Sequence, residues 1–202
     1  MATHRDHQEI LDFWFGQSPS YAERIAQKSS LWWGKDPAVD GEIESRFGEC
    51  LQAAIAGLLD DWKQNPEGLL ALIIVLDQFS RNIHHDFARA FAQDALALSL
   101  CLEGIEKGID MKLDLLQRVF FYLPLEHAES MALQRRSVEM QKQLAESAPE
   151  DVKDNFRGFH KYALLHMEVI DRYGRYPHRN VLLGRASTAE EIEYLNNPEA
   201  GF

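Results

Sequence analysis

Apolar residues recur along this chain at spacings of three and four almost throughout, and no alternating pattern of strand length interrupts them. This is the signature of helices that bury one face. The first predicted helix runs from about Asp6 to Phe15 and stops at Gly16, with Ile10, Leu11, Trp14 and Phe15 on its apolar side. A second covers Tyr21 to Trp33. Asp36 then caps, and Pro37 opens, a third that carries Val39, Ile43, Phe47, Leu51, Ala54 and Leu58. Aspartate accepts a hydrogen bond from a free first-turn amide, and proline has no amide to leave unpaired there. Asn65-Pro66 repeats the signal before a central helix from Leu69 to Ile83, whose first eight residues are apolar on every side and predict a buried rod.

Asp86 opens a fifth predicted helix with the stripe Phe87, Phe91, Ala95, Leu98, Leu102 and Ile105. Helices over about 113–122, 125–146 and 150–173 follow, punctuated by Pro124, Pro149 and Gly174, and Ser187-Thr188-Ala189-Glu190 has the form of a capping box before a short last helix. Eight or nine helices with short connections predict one all-α domain over residues 1–202, built as a bundle or as a stack of antiparallel hairpins. No self-similarity at the roughly 33 to 47-residue periods of helical solenoids chooses between the two.

With 202 residues, 46% hydrophobic and 26% charged, the composition is that of a globular chain with a real core. The longest apolar run, Leu69 to Leu76, is far shorter than the ~20 residues of a bilayer-spanning helix. The opening Met1 to Glu9 lacks the apolar stretch of an export signal, so a cytoplasmic protein is expected. Cys50 and Cys101 lie far apart among apolar helix formers and read as buried free thiols. A net charge of −11 without a long basic run argues against nucleic acid and anionic membranes as partners.

Against that negative field stands a basic island. From Arg172 to Ala189 there are four arginines, Arg172, Arg175, Arg179 and Arg185, and no acid, on a stretch where Gly174, Pro177 and Gly184 break the helix. Guanidinium groups on a loop held by rigid elements suit an oxyanion. The competing reading has these arginines tied to surface carboxylates. A second polar cluster, Asp77 to Asp86, closes the buried central helix; Asp77 and Arg81, and Gln78 and Asn82, stand at i,i+4 and can pair. A third, Glu126-His127-Ala128-Glu129, begins the seventh predicted helix, and His166 lies on the eighth between Tyr162 and Tyr173.

Several chemistries are excluded by spacing. The residues three before His127, His160, His166 and His178 are Pro124, Arg157, Ala163 and Arg175, so the Glu-x-x-His pairs of a dimetal carboxylate bundle are missing. The chain also lacks His-Glu-x-x-His, Gly-x-Ser-x-Gly, Gly-x-Gly-x-x-Gly and a phosphate-cradling glycine loop. Neither a metal nor a cofactor is expected.

Leu76-Asp77-Gln78-Phe79, Arg81-Asn82-Ile83, the segment around Glu126 to Glu129, His166, Gly174-Arg-Tyr-Pro-His-Arg-Asn180, Leu183-Gly184-Arg185 and Ser187-Thr188 together resemble the family labelled domain of unknown function 924. The likeness spans nearly the whole chain. It departs at Ser80, where that family has proline, and at His84-His85-Asp86. The resemblance implies a tetratricopeptide-like stack of helical hairpins and no particular reaction. Its motif positions here are Asp77, Gln78, Arg81, Asn82, His166, Arg175, His178, Arg179, Asn180 and Arg185.

Two function classes follow. One is a pocket for a small anionic molecule, a carboxylate or phosphate, held by Arg175, Arg179 and Arg81 with Asp77, Gln78, Asn82, Asn180 and Arg185 around it, and His178 or His166 placed for proton transfer. The other is a peptide-binding scaffold without chemistry, its groove anchored by Trp14, Trp32, Trp33 and Trp62.

Overall fold

Side-chain caps set where the helices begin. In the computed structural model, which describes residues 6–197, Asp6 accepts from the Gln8 amide and starts α1 (His7–Phe15). Ser20 does the same for α2 (Tyr21–Trp33), and Asp36 for α3 (Pro37–Ile55), with Pro37 in the first turn. Asn65 caps α4, which begins as Pro66–Ile73, widens into π geometry over Ile74–Phe79 and regains α geometry over Ser80–His84. Then come α5 (Asp94–Glu106), α6 (Leu115–Glu126), α7 (Met131–Ser147), α8 (Lys153–Tyr173) and α9 (Ala189–Leu195). Met1 to Arg5, part of the stretch on which the expectation of no export signal rests, lie outside the described residues.

The described residues form an all-α stack of helical hairpins. Short connections fold α6, α7 and α8 back along one another, so neighbours run antiparallel. The core gathers around α4, whose Leu69 to Leu76 are buried on all sides as the uninterrupted apolar run requires, with Trp14, Phe47, Phe79 and Phe120 packed together beside it. Cys50 and Cys101 are both buried, and neither is in a disulfide. Among the described residues no helix is long and apolar enough to cross a membrane.

Several features differ from the sequence expectation. The third helix stops at Ile55, leaving Leu58 outside it and exposed. Ala88–Phe91 form a tight 3-10 turn rather than the start of α5. The face that α5 buries is Ala97, Leu100, Cys101 and Gly104, rotated from the predicted stripe, because small side chains let it approach α4 and α6 more closely than leucines would. Helix α6 runs through Pro124 to Glu126 instead of breaking there. A proline in the last turn deletes one backbone bond, and the burial of Leu123, Pro124 and Leu125 offsets that loss. Finally, the last capping box is Thr188 with Glu191, one residue later than predicted.

The close approach of α5 yields a prediction. A methyl group at Gly104 would stand 2.5 Å from Cζ of Phe121 and 2.9 Å from Cδ2 of Leu69. Overpacking of this kind costs about 1–3 kcal/mol, against a helix-propensity gain of about 1 kcal/mol. Gly104→Ala is therefore expected to lower the melting temperature, and a variant melting above the parent would show that α5 can move away.

Candidate functional site

The π turn of α4 shifts the side-chain register just where the apolar run ends, and it delivers Asp77 and Gln78 into the interior. Such turns often mark functional positions. Asp77 is only 1% exposed, so its charge has to be met by the protein. Nδ1 of His127 lies 2.7 Å from Oδ1, Nη2 of Arg81 lies 3.0 Å from the same oxygen, and the Gln78 amide donates to Oδ2. Burial works against ionisation, but His127 and Arg81, with the hydrogen bonds of His127 and Gln78, outweigh it and hold the Asp77 carboxyl well below the usual range. Burial also lowers the His127 pKa, with Arg81 adding to the effect and Asp77 opposing it. The imidazole is neutral at pH 7. An ionised carboxylate only accepts, so Nδ1 of His127 carries the proton and Nε2 does not.

Arg81 reaches outward as well. Its Nη2 lies 3.0 Å from Oδ1 of Asp94, the first residue of α5, and Oδ2 of Asp94 receives Nη1 of Arg179 at 3.1 Å. An acid at a helix N-terminus also suits the exposed amides there. Arg179 sits on the 3-10 turn Pro177–Arg179, only 6% exposed, with its guanidinium 4.7 Å from the Phe91 ring centroid and 4.5 Å from that of Tyr176. Arg81 stands 5.3 Å from the Phe91 ring. Among the described residues the Nε atoms of Arg81 and Arg179 are buried and meet no acceptor. Two guanidinium groups are thus fixed by rings and one shared carboxylate, with donors left over.

The third wall comes from the end of α6 and from α8. Nδ1 of His166 is 2.9 Å from the Tyr162 carbonyl and 3.2 Å from Oε1 of Glu126. A carbonyl cannot donate, so this imidazole too is protonated at Nδ1. Its ring centroid is 6.3 Å from that of His127 and 5.7 Å from that of Tyr176, whose hydroxyl donates to the Glu126 carbonyl at 2.5 Å. Gln134 also donates to that carbonyl, at 2.6 Å, and to the Tyr176 hydroxyl at 2.8 Å. The Glu126 carboxyl is pushed up to about 8, first by burial; Ser137 lowers it and Asp77 adds to the rise. Burial lowers His166 to about 3, with His127, His178 and Arg179 contributing. His178, its ring 5.6 Å from that of Tyr176, is lowered to about 4 by the packing around it and then by Arg179 and Arg81; solvent reaches its outer side, and its shift is the smaller.

Of the residues singled out in the sequence, Asp77, Gln78, Arg81, Arg179, His166 and His178 converge here. Asn82 does not: it donates to Asp40 on α3 at 2.8 Å. Arg175 holds both oxygens of Glu191, at 2.7 and 2.8 Å, and Asn180 donates to Ser187 and Glu191. Arg185 grips Glu129, the Asn180 side chain and the Tyr176 carbonyl. These three lash the loop to α9 and to the segment after α6. The sequence reading left out Asp94, took Phe91 only as part of an apolar stripe, and met Tyr176 only inside the loop motif. It saw Glu126 and His127 but placed them at a helix start, whereas they close α6.

The fold and the site together define an all-helical protein in which a buried Asp-His pair adjoins an aromatic-clamped arginine. The chain belongs to the bacterial protein family of unknown function DUF924, whose model matches residues 10–199. It is similar to a solved structure, the Agrobacterium tumefaciens protein of unknown function ATU0120, at 35% identity with a TM-score of 0.79, over 94% of this chain and 96% of that one. Among curated proteins none matches.

The raised Glu126 pKa has a signed consequence. In the unfolded chain this carboxyl ionises near the ordinary 4.5, and in the fold near 8. The stabilising effect of its neutral form is complete below pH 4.5 and is lost as pH rises through 8. Glu126→Gln mimics the neutral acid at every pH. Its melting temperature relative to the parent is expected to climb between pH 5 and 8.5, and parallel profiles would show that Glu126 ionises normally.

Proposed function

We propose that the Arg81–Arg179 pair is a binding site for a small oxyanion, a carboxylate or a phosphate, with His166 and His178 beside it for proton transfer. The observation that supports this most is Arg179: a nearly buried guanidinium, stacked between Phe91 and Tyr176, that spends one nitrogen on Asp94 while its Nε meets no acceptor among the described residues. Buried cations with unspent donors are costly to maintain, and planar guanidinium edges match carboxylate and phosphate oxygens two at a time. The unspent hydrogen-bond capacity, more than net charge, favours the anion, because Asp77 and Asp94 already balance the two arginines. Such a ligand, a peptide carboxylate included, fits a cytoplasmic protein.

The two loop arginines separate this reading from a purely structural one. Arg179→Ala removes a charge-assisted donor worth on the order of 1.5–3 kcal/mol, so affinity for inorganic phosphate or citrate is expected to fall by roughly 10 to 150-fold. Arg175→Ala should instead loosen α9 and lower the melting temperature while leaving the anion response in place. Calorimetric titration and thermal shift on both variants check this. An unchanged anion response in Arg179→Ala, or none in the parent protein, would remove the anion site.

A further inference from the structure

We infer that His127, a residue outside the basic loop, is the proton acceptor of this site, acting through Nε2 while the buried Asp77 carboxylate holds Nδ1–H at 2.7 Å. The inference goes deeper into the site described above and rests on the anion reading only for the class of substrate.

The geometry is that of an oriented base. His127 is the C-cap residue of α6, so its backbone is fixed by the hydrogen bond that its N–H donates to the Leu123 carbonyl. Its ring is fixed by a carboxylate that is itself immobilised by Gln78 and Arg81. The side chain keeps 15% of its surface open, and among the described residues no group pairs with Nε2. His127 and Arg81 converge on the same oxygen of Asp77, so a substrate anchored by its anionic group on Arg81 and Arg179 has this imidazole for a neighbour. The charged and titratable groups facing it are Asp77 and Arg81 from α4, Asp94 from α5, His166 from α8 and His178 from the loop.

The substrate class is a molecule that carries a carboxylate or phosphate and an acidic O–H or C–H nearby. In the step, Nε2 takes the proton, and the electron pair of the broken bond stays on the substrate, where the two guanidinium groups meet the developing charge. The imidazolium formed is stabilised by Asp77, which is ionised throughout. No oxidant, reductant or second reactant is needed. Glu126, neutral at pH 7, is placed beside His166 to return a proton.

The test uses 5-nitrobenzisoxazole, whose ring C–H is removed by a base while the N–O bond breaks to give a coloured cyanophenolate. The full-length protein is expected to outpace free imidazole at equal concentration, and His127→Gln to lose roughly 100-fold, the scale of general-base catalysis. His160→Gln, at a histidine of α8 that takes no part in the site, serves as the control that keeps turnover. Asp77→Asn, if folded, should move the midpoint of the rate–pH profile downward, because the imidazolium loses its carboxylate; a merely structural aspartate would change the rate without moving the midpoint. Inorganic phosphate should inhibit the parent and spare Arg179→Ala. If turnover depends on His127 but phosphate neither binds nor inhibits, the base stands and the anion reading falls. If phosphate stabilises the protein yet the probe reacts no faster than with free imidazole, or equally fast in His127→Gln, the base is overturned and the anion site remains.

Discussion

The burial of one carboxylate organises the functional end of this molecule. Asp77 sits at the end of an eight-residue apolar run and is sealed from water. Leaving such a charge unpaired costs about 3–5 kcal/mol, so its partners are obligatory. They come from α4 and from the end of α6, which binds those two helices at this point. Arg81, brought inward to meet Asp77, requires Asp94, and Asp94 in turn holds Arg179. An alternating series of charges thus leads from the core to the loop after α8.

That series is close to neutral. Two arginines face two aspartates, the neighbouring imidazoles are held neutral largely by burial, and Glu126 keeps its proton at pH 7. A cluster without excess charge recognises a ligand through fixed geometry and unspent donors. The field of the whole chain, at −11, does not assist an anion's approach. The proposed anion binding depends on preorganisation, which the stacking of Arg179 between Phe91 and Tyr176 supplies.

The basic island has divided its labour. Arg172, Arg175 and Arg185 are committed to Glu190, Glu191 and Glu129, and they fasten the loop and α9 to the rest of the stack. The Arg175 hydrogen bond is the largest cause holding Glu191 down to about 2, so this attachment persists until strongly acidic pH. Arg179 alone of the four reaches Asp94 at the start of α5. A loop so fastened can hold one arginine in a rigid orientation, and this is how the structural pairs serve the site.

Helix identity, most caps and the buried thiols were legible in the residues because each depends on neighbours a few positions away: Asp36 with Ala38, Asn65 with Gly68, the apolar run with its own rod. The pairing of Asp77 with Arg81 was legible for the same reason, at one helical turn. What local pattern could not supply was the choice among long-range partners. His127 meets Asp77 across 50 positions and Arg179 meets Asp94 across 85. The rotated face of α5 and the passage of α6 through Pro124 were decided in the same way, by burial that outweighs a local rule. The sequence by itself determined which segments are helices and where the polar clusters lie along them; only the tertiary structure decided which arginines are spent on carboxylates and which imidazole stands against the buried aspartate, because those choices belong to packing between helices distant in the chain.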